Sequence, residues 1–487
     1  MKKTICAVIA AIMILSLAAV GAGAEGPTAI TSFDQITDMA GNYVLSADIV
    51  SAGAPSIGTK EAPFTGVFDG AGHTVSGLTG MVFAYTSGAT VKNVIVTNSV
   101  VEFKGVEDHT GLICGNAEGG TFTEIHLGPG VHIEFSEIIT SDLYLGGIIG
   151  NIYGQEFTVS YCSNEGTVTH TSLAKSRMGG IIGMAYGQSV EKCVISNCWN
   201  TGNVINDSIP GKNDTKVAGI VANGEVIHIT QCYNLGNISS NESNGQSAGI
   251  FGCPSDYGGP AYKVSFCYNG GEITNGKYAG GILAYTNRAD GDISFCANFG
   301  TVTGGEDKWT GGIIGFAKKT EKVSNLVSLK TACNKACGVD TGKDTNYDYA
   351  TIKGVETQSE LIAAAQALSI DFAEKDEHVA LAWQLSYTYP DTGKDEPPVT
   401  VPVETTPEET APEATDAEQT TAEQTTAEQT TAEAPVATAG ESDVTDKSEP
   451  ETTTAAAPEK KGCGSFAACG AVIVALLGSA VIIGKRK

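Results

Sequence analysis

Between about Gly146 and Gly315, short apolar runs alternate with glycine and asparagine, and none keeps the 3.6-residue period of a helix. The runs recur. "GGIIG" starts at Gly146, Gly179 and Gly311, with "AGIVA" at Ala218, "AGIFG" at Ala248, "GGILA" at Gly280 and a weaker "TGLIC" at Thr110. A second phrase, Cys-x-Asn-x-Gly, falls between them at Cys162, Cys198, Cys232, Cys267 and Cys296, at spacings of 36, 34, 35 and 29 residues. A short Val/Ile strand, such as Thr301-Val302-Thr303, closes each unit. Periods of this size mark repeat architectures. Three short strands per unit predict one coil of an all-β, right-handed parallel β-helix, a solenoid whose loops vary without disturbing its rungs. A β-sandwich or a β-propeller is the alternative; propeller blades run longer and carry tryptophan, of which this chain has three.

Rungs of a parallel solenoid lie ~4.8 Å apart, so each position stacks on its own repeat. Asn164, Asn200, Asn234, Asn269 and Asn298 should therefore form an amide ladder, each side chain donating to the next. The glycine two residues later is expected to supply positive φ at a corner. Cys162, Cys198, Cys232, Cys267 and Cys296 should form an inward column of small apolar groups. Disulfides are the other reading for an exported chain. Parallel side chains would leave Cβ atoms ~4.8 Å apart against the ~3.8 Å a disulfide prefers, which favours thiols. The Val or Ile three residues before each Cys breaks strand parity, so a bend is expected near Ser265.

The ends have other compositions. Residues 1–24 form a signal peptide: Lys2 and Lys3, an apolar run, then Ala22-Gly23-Ala24 as a cleavage site. The body divides into an N-terminal β region (25–105), the repeats (106–330) and a C-terminal cap (331–390). In that cap a short helix, Glu360 to Leu368, is expected to close the open end of the last coil. Residues 391–460 are a disordered stalk rich in Thr, Glu and Pro. Residues 461–487 form an anchor: Ser465 to Gly484 carries no charge and would span ~30 Å as a helix. Lys485, Arg486 and Lys487 keep that end cytoplasmic. The expected location is the cell membrane, single-pass, with the body outside.

Charge changes the picture little. The formal net charge is −26, and residues 395–459 hold seventeen acidic groups against Lys447 alone. That imbalance argues against nucleic acid and extends the stalk.

With these phrases assembled, "PFTGVFDGAGHTVSGL" (Pro63 to Leu78), "YTSGATVKNVIV" (Tyr85 to Val96) and the Gly-Gly-Ile-Ile-Gly repeats resemble the GLUG-motif proteins. Those are bacterial surface proteins whose repeats also occur in the non-catalytic part of IgA-specific metallopeptidases. The resemblance implies a fold and a surface location. The peptidases carry an HExxH zinc helix in a separate domain, and no HExxH occurs here.

Candidate chemistry is sparse. His132 and Glu134 share a strand face and could pair as acid and base. Asp69 and His73 flank an Asp-Gly turn. Asp344, Asn346 and Asp348 alternate as in a calcium loop, without its glycine and distal glutamate. Cys333 and Cys337 suit a local disulfide or half a metal site. Sequons stand at Asn206, Asn213, Asn237 and Asn241. No cofactor, metal or catalytic set is expected. Two function classes follow. The first is a non-enzymatic surface module for adhesion or display, taking a host, cell-wall or glycan ligand. The second is a polysaccharide lyase or hydrolase, which needs Asp with Arg or Lys on one face. Arg177 and Arg288, the two arginines before the tail, are expected in separate loops.

Overall fold

The computed structural model describes residues 26–393, apart from 105–108, 140, 209–213, 255–261, 287–290, 306–308, 318–321 and 338–351. The expected signal peptide, nearly all of the stalk and the anchor lie outside the described residues. So do Asn213, Arg288, Asp344, Asn346 and Asp348.

The body is a parallel β-solenoid of seven turns, each turn placing one strand in each of two seven-stranded sheets. Further segments of every turn join a longer sheet of 24 strands. One turn shows the path: Ser176–Gly179, the corner Gly180-Ile181, Ile182–Tyr186, Cys193–Ser196, Trp199–Asn200, then Val204–Asn206. Each of these segments pairs in parallel with its counterpart one turn away. Sandwich and propeller, both antiparallel, are thereby set aside. Among the described residues one antiparallel pairing occurs, Phe372–Lys375 with His378–Leu381. A strand ending at the Gly-Gly pair, such as Leu143–Gly146, adds a fourth segment to the three expected per turn.

The core is one continuous apolar column in which Ile195, Ile229, Val264 and Ile293 stack beside the cysteines. The parity problem resolves at Phe266, one residue beyond Ser265. Its φ of 53° turns the chain between Val264 and Cys267, so both point inward. Tyr161, Asn197, Gln231 and Phe295 hold the same left-handed conformation one residue before their cysteines. The glycines after each Asn do not have the expected role, because none of Gly166, Gly202, Gly236, Gly271 or Gly300 has positive φ. They are glycine because they stack on backbone: a Cβ on Gly202 would stand 1.8 Å from the Gly166 carbonyl oxygen.

The expected helix is present. It runs Gln358–Leu368 behind a Thr357–Glu360 capping box. Leu361, Ile362, Ala364 and Ala365 bury against Ala297, Val327 and Val355, in a cluster separate from the solenoid core. The helix therefore packs on the flank of the last turns. Position decides this: Ala297 and Val327 fall between inward residues and point outward, giving the helix an apolar landing site.

Candidate functional site

The expected ladder residues come together in the interior. Asn164 Nδ2 donates to Asn200 Oδ1 (2.9 Å), and Asn200 to Asn234, Asn234 to Asn269 and Asn269 to Asn298 at 2.8 Å each. Each Nδ2 also donates to the carbonyl of the glycine two residues on. All five asparagines are fully buried, so the ladder satisfies amides that water cannot reach. Cys162, Cys198, Cys232, Cys267 and Cys296 are buried, unbridged thiols. Each Sγ donates to the carbonyl two residues before it, at 3.2–3.3 Å. Burial pushes the Cys162, Cys232 and Cys296 thiols well above their ordinary range.

The candidate catalytic pairs are not assembled. Asp69 is held by Lys92 (3.0 Å), Asn93 and its own turn, whereas His73 faces Asp48 at 3.2 Å. His132 points to solvent, and Glu134 accepts a hydrogen bond from Thr171 at 2.9 Å. Cys333 and Cys337 are buried in the last turn. Arg177 lies on a strand, not in a loop, and pairs in register with Lys216. Both cations are committed, Arg177 to Asp142 (3.2 Å) and Lys216 to Asp214 (2.7 Å). Asn206 is buried and bonded to His170 and Ser240, so in the folded protein that sequon is out of reach.

Sequence reasoning missed the residue between Cys and Asn. Across successive turns that position is Ser163, Trp199, Tyr233, Tyr268, Ala297 and Val327, all pointing outward. Its middle members form an aromatic ladder: Trp199 on Tyr233 at 6.0 Å and 5°, Tyr233 on Tyr268 at 5.1 Å and 4°. Residues 382–393 run back across this ladder as a strap. Trp383 donates from Nε1 to the Gln231 carbonyl (3.2 Å), and Tyr268 donates from its hydroxyl to Gln384 Oε1 (3.1 Å). Tyr387 stacks on Tyr161 and donates to Glu124 at 2.5 Å. Beneath it His126 bridges Glu124 (3.4 Å) and Ser163 (2.9 Å). That Ser-His-Glu set resembles a nucleophilic triad, yet Ser163 is fully buried and offers a substrate no surface.

Strap and ladder leave a groove of about 410 Å³ between them. Phe299 and Tyr389, both half-buried, supply its apolar walls, with Tyr233 and Tyr268 buried behind them. Glu165, Asp376, Asp391, Lys375 and His378 bring charged or titratable groups to it. Lys375 Nζ sits 4.6 Å from the Tyr389 ring centre, and His378 stacks on Phe299 at 5.2 Å and 2°. A mostly apolar cavity of this size with a few convergent polar groups is the usual form of a small-ligand site.

No known family model matches this sequence, and no curated protein does. Among solved structures, one titled IgA1 Protease is similar, with a TM-score of 0.42 and 17% identity; the match covers 71% of this chain and 24% of that one. A putative immunoglobulin A1 protease from Bacteroides ovatus gives a TM-score of 0.36 and 15% identity over 73% of this chain and 92% of its own. The similar structures are thus IgA1 protease-like, and this chain spans about a quarter of the first.

Proposed function

We propose that the protein is a non-enzymatic binding module displayed on the cell surface by its stalk and anchor, with a glycan as ligand of the lateral groove. The groove itself carries this reading. Aromatic walls beside carboxylates suit a sugar, whose ring carries both C–H surface and hydroxyls that donate and accept. The solenoid fixes Phe299 on the buried Tyr268, which limits the ordering entropy lost on binding. The separate partners of Asp69, His73 and Glu134, and the ion pairing of Arg177 and Lys216, favour binding over glycan cleavage. The test is calorimetric titration of the full chain with cell-wall and host oligosaccharides, beside a Tyr389→Ala variant. Saturable binding without product, lost in the variant, is the expected result. Release of shortened or unsaturated sugars would overturn the reading.

A further inference from the structure

We infer that the groove selects a glycan bearing free amino groups, a cationic sugar polymer rather than a neutral or acidic one. This rests on the reading of the groove as a glycan site and adds the charge of its ligand. Three carboxylates, Glu165, Asp376 and Asp391, face one ammonium, Lys375, so the lining is net acidic. The rest of the chain adds to that field: −26 overall less the −16 of residues 395–459 leaves −10.

The single cation present shows how an amine would sit. Lys375 Nζ lies over the face of Tyr389 at 4.6 Å, an ammonium–aromatic contact within the groove wall. A protonated sugar amine would take the same seat on a ring face, with Asp376 and Asp391 lining the same groove. A uronic acid or sulfated sugar would meet three like charges. A neutral sugar would gain only stacking and hydroxyl contacts.

The experiment titrates the full chain with three oligomers of one length and linkage: β-1,4-glucosamine with free amines, its N-acetylated counterpart, and the unsubstituted glucan. The free-amine oligomer should bind roughly tenfold tighter than either, and lose that margin in high salt. Asp376→Asn and Asp391→Asn should each weaken the amine ligand by roughly fivefold and the neutral glucan by less; both groups are exposed, so the fold survives. Lys375→Gln should tighten amine binding, because it vacates the Tyr389 face and removes a like charge. Equal affinity for all three oligomers would overturn the amine selectivity and leave the glycan reading standing. Failure of every oligomer to bind would overturn both, and weaker amine binding by Lys375→Gln would remove the Tyr389 seat from the argument.

Discussion

Gly219 lies against Asn234: a Cβ added to the glycine would stand 2.3 Å from Asn234 Oδ1 and 2.4 Å from the Gly249 carbonyl oxygen. Gly180 bears the same relation to Asn200, Gly249 to Asn269 and Gly281 to Asn298. The Gly-Ile phrase and the Cys-x-Asn phrase are therefore two halves of one contact, repeated turn after turn. Gly219→Ala should cost about 1–3 kcal/mol, the usual effect of overpacking a close-packed site. A urea midpoint equal to that of the parent would contradict this geometry.

Asn234→Ala removes one rung. Asn200 Nδ2 then loses its acceptor and Asn269 Oδ1 its donor, both in a fully buried column. A loss of about 1–3 kcal/mol is expected, read from the same denaturation curves.

The thiol column should be chemically silent until the protein unfolds. Cys267 is fully buried, with its Sγ donating to the Ser265 carbonyl at 3.2 Å. Alkylation monitored by mass spectrometry should be slow in native buffer and immediate in denaturant. Cys267→Ala should cost about 1 kcal/mol, and Cys267→Ser more, because a hydroxyl demands a partner in an apolar interior. Rapid native labelling would place the thiol elsewhere.

Stability should fall on mild acidification. His170 is buried beside Asn206, Ser172 and Phe135, with Glu242 nearby, and burial lowers its pKa below the ordinary 6.5. The unfolded chain then takes up a proton before the folded one does. Its contribution is complete above pH 6.5 and is lost as pH falls through that value toward the folded pKa. His228, lowered by burial and by Lys263, acts in the same direction. Asp69 and Glu124, whose carboxyl pKa values are depressed, lose their share only at lower pH. Unfolding free energies between pH 7.5 and 5 should decline in the parent and decline less in His170→Gln. A flat profile in the parent would refute this.

Tyr387→Phe deletes the hydroxyl that reaches Glu124 and should cost about 1 kcal/mol or somewhat more, since the acceptor is charged. Trp383→Ala removes a ring in contact with Tyr161, Trp199, Tyr233 and Tyr387, and should free the strap. Limited proteolysis should then cut within 382–393 while the strand signal in circular dichroism persists. Concerted loss of both would show that strap and coil unfold together.

The solenoid was legible because in-register stacking forces the same residue into the same environment each turn, and the eye finds Cys267 under Cys296. The same habit hid the groove. Trp199, Tyr233 and Tyr268 occupy the variable letter of Cys-x-Asn, where a search for identity sees no pattern. Their partners Trp383, Tyr387 and Tyr389 lie more than a hundred residues along the chain, and no local signal couples the two segments. Left-handed residues such as Gln231 and Phe295 were equally silent, because aromatic and amide side chains alike occupy that bend once the neighbouring turns impose it.

The strap also decides where tension would enter the body. At Thr392 its backbone lies against Gly128, where a Cβ would come within 2.2 Å of the Thr392 carbonyl oxygen. Gly128 follows the strand Cys114–Leu127 of an early turn, whereas the last solenoid strand, Lys353–Val355, lies several turns away. A pull on residue 393 therefore acts first on Thr392, then on Tyr389, Tyr387 and Trp383, peeling them from the flank in sequence. Force applied there thus reaches the coil through side-chain contacts on its flank, at Gln231, Tyr268 and Glu124, before it reaches the last strand.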